Sequence, residues 1–91
     1  MESTTHIIPP FSIEIDGVLV DVLEIIKHQL ISGDVTYSVA VKINYKGIKS
    51  KTIHLTVKNE TDLKNKLKIE VTKIKFMEMT YGLNYVKSVI T

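Results

Sequence analysis

Lysine side chains that could neutralise phosphate groups concentrate in one stretch of this chain, residues 35–58. The stretch contains five lysines and no acidic residue: Lys42, Lys46, Lys49, Lys51 and Lys58. Lysines on a projecting two-stranded ribbon can contact a nucleic-acid backbone, and such a ribbon fits the major groove. We therefore predict these five residues as a nucleic-acid-binding site whose contacts do not depend on base sequence.

Three features restrict this prediction to backbone contacts. The chain contains no arginine, the residue that most often reads guanine edges. Tyr37 and Tyr45 are predicted to point inward, so the outer strand face has no aromatic platform for stacking bases. Lys46 and Gly47 are followed by Ile48 rather than an aromatic residue, unlike the motif of RNA-recognition domains. A lysine-rich, solvated strand edge that blocks aggregation explains the same residues.

Histidines and carboxylates give no catalytic or metal-binding pattern. His6, His28 and His54 lie far apart in the sequence, and none has a second ligand at a spacing typical of metal sites. Glu14 and Asp16 would share one strand face, but the pair has no third ligand for a divalent ion. We predict a protein that is not an enzyme and has no catalytic residue, metal, cofactor or small-molecule substrate.

The elements that must position the lysines begin with a hairpin over residues 35–58. Apolar residues occupy the odd positions from 35 to 45, which is typical of a strand with one buried face. A type I turn ending at Gly47 would pair residues whose numbers sum to 92, so that Val39 faces Ile53. A two-residue turn would instead place Val39 opposite His54. We therefore predict the first register, with a lysine-rich tip that projects beyond the body of the domain.

The region before this hairpin contains a second turn signal and one ambiguous segment. Residues 1–10 are predicted to be a flexible N-terminal lead. Asp16-Gly17 is a strong signal for a two-residue turn that would pair Ile15 with Val18. Residues 21–32 are rich in β-branched side chains, which favours a strand from residue 18 to about residue 28. Asp21 and Glu24 could instead form a helical capping box, which would give a ferredoxin-like βαββαβ order.

A long helix is predicted after Asn59, which is a favourable N-cap residue. Its apolar residues recur every three or four positions and form a stripe: Leu63, Leu67, Val71, Ile74, Met77 and Tyr81. Gly82 is a natural helix terminator. Residues 83–90 are predicted to be either an edge strand or a segment exchanged with another subunit.

Together these patterns predict a single α+β domain over residues 11–91. Its architecture is an antiparallel four-stranded meander sheet with one long C-terminal helix packed on one face. The apolar content of 44% is high for a chain of 91 residues, so we expect a homodimer. Charge is polarised: residues 1–34 carry six acids against one lysine, and residues 35–91 carry eleven lysines against four acids.

Two classes of function follow from these observations. The first is a small protein that contacts DNA or RNA backbone through the lysine-rich hairpin. The alternative is a homo-oligomeric protein-interaction or assembly module that binds no nucleic acid. No apolar run approaches the length of a membrane span and no signal peptide is evident, so the predicted location is cytoplasmic. Enrichment in Lys and Ile without Cys resembles thermophile composition.

Overall fold

The structure, a computed structural model, describes the backbone of residues 2–6 and the backbone and side chains of residues 10–91. The described residues form strands β1 (Glu2–His6), β2 (Phe11–Ile15), β3 (Val18–Leu30), β4 (Val35–Tyr45), β5 (Ile48–Lys49) and β6 (Ile53–Val57), followed by helices α1 (Glu60–Tyr81) and α2 (Leu83–Ile90). All strand pairings are antiparallel, so the predicted α+β class is confirmed.

Strands β3 and β4 form the centre of the sheet. β1 and β2 pair with opposite halves of β3, and β5 and β6 pair with successive parts of β4. The sheet is therefore four strands wide and follows the predicted meander order. The ferredoxin-like alternative is wrong, because residues 21–30 continue β3 rather than forming a helix.

The N-terminal segment contains a strand, β1, where the sequence predicted a flexible lead. The backbone of Glu2–His6 pairs with Ile26–Leu30 of β3. The predicted flexible lead also covers residues 1 and 7–9, and these lie outside the described residues.

A bulge in β3 accounts for the helix-like spacing of its apolar residues. Val22 faces Val41 and Ile25 faces Val39, with the register shifted by one residue between Val22 and Glu24. Because of this extra residue, two apolar residues three positions apart lie on the same face of a strand. Spacing by three is otherwise typical of a helix, so the bulge interrupts the two-residue alternation that a strand normally shows in its sequence.

The predicted register of the second hairpin is wrong. Lys46 and Gly47 both have positive φ, 48° and 82°, and form a two-residue turn that pairs Tyr45 with Ile48. The register then shifts by one residue around Ser50, so that Val39 faces Leu55 rather than Ile53. The bulge restores the pairing of apolar with apolar residues, which the two-residue turn alone would have broken.

Helix α1 packs on the inner face of the sheet. Asn59 caps it, because its side-chain oxygen accepts a hydrogen bond from the backbone N–H of Asp62 at 2.8 Å. Four residues of the predicted apolar stripe are buried in a core shared with the sheet: Leu63, Leu67, Val71 and Ile74. None of the helices in the described part of the chain combines the length and apolarity that a membrane crossing requires.

The prediction of a C-terminal strand is wrong, because residues 83–90 form helix α2. Gly82, with φ at 90°, redirects the chain between the two helices. Val86 and Ile90 lie four residues apart and both enter the core. The carbonyl of Ile90 accepts a hydrogen bond from the backbone N–H of Lys51 at 2.8 Å, so α2 contacts the bulge between β5 and β6.

Candidate interaction surface

The lysine-rich hairpin tip packs against helix α1, so the prediction that it projects from the body is wrong. Tyr45, the last residue of β4, is buried, and its hydroxyl donates a hydrogen bond to Oε1 of Glu78 at 2.5 Å. Nζ of Lys46 lies 2.8 and 2.7 Å from the two oxygens of the same carboxylate. The tip lies against the body of the domain because the apolar face of β4 extends to Tyr45, the last residue of the strand, and α1 covers this face.

These contacts compensate the charge of Lys46. The ion pair with Lys46, followed by the hydrogen bond from Tyr45, holds the pKa of Glu78 below its usual value. Burial, together with the hydrogen bond to the Glu78 carboxylate, raises the pKa of Tyr45 to about 12. The carboxylate of Glu78 offsets the positive charge of Lys46, so the electrostatic attraction of Lys46 to a phosphate backbone is weaker.

A second carboxylate, Asp21, lies among polar groups on the outer face of the sheet. It accepts hydrogen bonds from Oγ of Ser12 at 2.7 Å and from Nδ2 of Asn44 at 2.8 Å, and it lies 3.5 Å from Nζ of Lys49. The bonds from Asn44 and Ser12, with a smaller contribution from Lys49, lower the pKa of Asp21. Lys42 is its cross-strand neighbour, so both lysines share their face with an acid.

The remaining two lysines of the predicted site are exposed and belong to other parts of the fold. Lys51 lies in the bulge before β6, and Lys58 lies just before α1, where its backbone N–H donates to Asp62 at 3.0 Å. The structure therefore brings Lys42 and Lys49 together around Asp21, while Lys46 contacts α1. Sequence reasoning missed both carboxylate partners because Asp21 and Glu78 are distant from the hairpin along the chain.

Among the described residues, neither His28 nor His54 joins a cluster that could hold a metal ion. Nε2 of His28 lies 2.8 Å from Oγ of Ser38, whereas His54 is exposed opposite Ala40. In the predicted register His54 would have faced Ser38, but the observed register pairs Ser38 with Thr56. Among residues 10–91, no three His, Asp or Glu side chains are placed to hold a metal ion.

Helix α1 has a second apolar face, which is exposed. Ile69, Phe76 and Met79 are 55%, 58% and 73% exposed. With Asn65 and Thr72 they form a row that we call the outer stripe, and a shallow groove runs beside it. Residues at this spacing lie on one side of a helix, here the side opposite the buried Leu67 and Val71. The spacing of Ile69, Phe76 and Met79 is visible in the sequence. It was missed because the inner stripe from Leu63 to Tyr81 was sufficient to predict the helix.

Lysines flank the outer stripe on both sides. Lys66 and Lys73 lie along one side, and Lys68 and Lys75 along the other. We call these four residues the lysine rim. The acids nearest to the middle of the stripe, Glu70 and Glu78, lie on the half of the helix that faces the sheet.

The chain matches no known family of proteins, and neither the curated proteins nor the solved structures include one that is significantly similar to it.

Proposed function

We propose that this chain is a non-enzymatic protein-interaction module and that the outer stripe of α1 is its docking surface. The observation that carries this proposal is the exposure of Ile69, Phe76 and Met79 on a helix whose other face is fully packed. Large apolar side chains grouped on one surface are typical of a site that another molecule covers. Burying a fully exposed side chain of this size contributes roughly 1.5–3 kcal/mol, and each of these residues would gain the part that corresponds to its exposed fraction.

Nucleic-acid binding through the hairpin lysines has weaker support. Lys46 and Lys49 both lie within ion-pair distance of a carboxylate, at 2.7 and 3.5 Å. Lys42 shares its face with the same Asp21. A polyanion would have to compete with these internal acids. Our proposal of a protein-interaction module also includes a cytoplasmic location and the lack of enzymatic activity.

The proposal is tested by placing a photo-crosslinking amino acid at position 76 in cells of the source organism. The matched control carries the crosslinker at Leu19, which is 48% exposed on the opposite side of the sheet. We expect discrete adducts at position 76 whose size is unchanged by nuclease, and none at position 19. Absence of protein adducts at position 76 would overturn the proposal.

The competing hypothesis is tested with a labelled random-sequence duplex and single strand across a salt series. The informative variant replaces Lys49, Lys51 and Lys58 with Gln and leaves the contact between Lys46 and Glu78 in place. Affinity that falls steeply with salt and is lost in this variant would establish a polyanion site and replace our proposal. We expect no such affinity at physiological salt.

A further inference from the structure

We propose that the partner that covers the outer stripe is an acidic amphipathic helix of another protein. This inference rests on the proposed function and adds the chemical class of the partner. The structural observation behind it is an apolar row bordered on both sides by lysines.

The spacing of the stripe matches a helix-on-helix seam. Asn65, Ile69, Thr72, Phe76 and Met79 follow one another at intervals of four, three, four and three residues. These intervals are those of the a and d positions of a heptad, the positions that face a partner helix. The row spans about 21 Å along the helix axis, so a partner of about four turns would cover it.

The rim then occupies the positions that flank such a seam. With Ile69 and Phe76 at position a, Lys66 and Lys73 fall at e, and Lys68 and Lys75 fall at g. Charges at e and g select the partner in helix pairs. All four flanking positions within the stripe are basic, so the complementary partner carries acids at its own flanking positions.

The rim lysines remain available for such contacts to different degrees. Lys68 makes no hydrogen bond or ion pair with any described residue, and Lys75 donates to the backbone carbonyl of Asp16 at 2.7 Å. Lys73 lies 3.4 Å from Glu70 of its own helix. Lys66 lies 3.6 Å from Asp62 and also donates a hydrogen bond to the backbone carbonyl of Thr56 at 2.5 Å, so it is the least available of the four. Both ion pairs are partly exposed and weak, as is the pair between Lys49 and Asp21, so an acidic partner would compete with these acids as a polyanion would at the hairpin.

Other occupants fit less well. A second copy placed stripe to stripe would oppose lysine to lysine in either helix orientation. A phosphate backbone would contact the rim but leave Ile69, Phe76 and Met79 without apolar partners. A lipid surface would have to accept the polar Asn65 and Thr72 within a narrow a and d seam, whereas membrane-surface helices present a broad apolar face.

The test uses two designed helical peptides of about 18 residues, long enough to span the stripe. Both carry Leu at a and d; one has Glu at e and g, and its twin has Lys. Binding of the fluorescently labelled peptides to the full chain is followed by anisotropy at low and high salt. We expect the Glu peptide to bind at least about tenfold more tightly than its twin and to weaken at high salt.

Three variants locate the interaction. Phe76→Ser should weaken binding of the Glu peptide by at least about tenfold, as expected for a central aromatic anchor. Val89→Ser, an exposed position on α2 outside the stripe, should leave binding unchanged. The double variant Lys68→Glu and Lys73→Glu should reverse the preference toward the Lys peptide.

Each contrary result has its own meaning. Equal binding of both peptides that is lost in Phe76→Ser would overturn the acidic partner and leave the docking surface in place. If neither peptide binds while the crosslinks at position 76 are intact, the acidic helical partner is likewise overturned and the docking surface stays in place. Phe76-dependent self-association, or Phe76-dependent binding to phosphatidylserine vesicles without binding of the Glu peptide, would assign the stripe to another occupant. Absence of those crosslinks would overturn both proposals.

Discussion

Oγ of Ser50 accepts a hydrogen bond from the backbone N–H of Ile43 at 2.8 Å. The backbone N–H of Ser50 returns a hydrogen bond to the carbonyl of Ile43, also at 2.8 Å. Ser50 is 2% exposed and marks the point where the register between β4 and its partner strand shifts by one residue. Its hydroxyl therefore replaces the backbone carbonyl that a regular ladder would have offered to Ile43.

We predict that Ser50→Ala destabilises the protein by about 1–3 kcal/mol, because it leaves the buried N–H of Ile43 without an acceptor. The free energy of unfolding is measured by urea titration. Amide hydrogen exchange at Ile43 should accelerate in the same variant.

The control for Ser50 is Thr61→Ala, an exposed position in the first turn of α1. It should change stability by less than about 0.5 kcal/mol. Ser50→Ala with wild-type stability and unchanged exchange at Ile43 would show that the hydroxyl has no part in holding the bulge.

Asp21→Ala should lower stability at neutral pH by about 1 kcal/mol, since the variant loses the hydrogen bonds from Ser12 and Asn44. The fold lowers the pKa of Asp21. Its stabilising contribution is therefore complete above the ordinary pKa of an aspartate and is lost as pH falls through the lowered value. The two proteins should converge in stability at strongly acidic pH, as measured by urea unfolding across a pH series.

The matched control for Asp21 is Glu14→Ala, which removes an exposed carboxylate from the same sheet face. At neutral pH it should change the free energy of unfolding by less than about 0.5 kcal/mol. A constant difference between wild type and Asp21→Ala at every pH would mean that the side chain acts through packing rather than through its charge.

Helix α2 offers a matched pair of valines that tests whether residues 83–90 belong to the core. Val86 is fully buried and Val89 is 41% exposed. Val86→Ala should cost about 2 kcal/mol, because it leaves a cavity between α2 and the rest of the core. Val89→Ala should cost less than about 0.5 kcal/mol.

Thermal and urea unfolding of both valine variants decide the question. Equal, small effects would show that α2 contributes little to the stability of the domain. A large effect at Val89 would instead show that this face of α2 is covered in solution.

Local signals in the sequence determined several elements of this protein. Asp16-Gly17 predicted a two-residue turn that pairs Ile15 with Val18, and the structure confirms it. Asn59 and the spacing from Leu63 to Ile74 predicted the start and the buried face of α1. Such features depend on residues close together in the chain, whose conformational preferences act before any distant contact forms.

Only the tertiary structure decided the register of the second hairpin and the partners of its lysines. The local sequence does little to oppose a bulge at this point. Ser50 compensates for the lost ladder hydrogen bond only by accepting one from the backbone N–H of Ile43 on another strand. Lys46 and Glu78 are 32 residues apart, and their contact exists because α1 lies over the end of β4. Charges find their partners through the packing of whole elements, so the lysine-rich segment read alone could not reveal which of its charges the fold had already compensated.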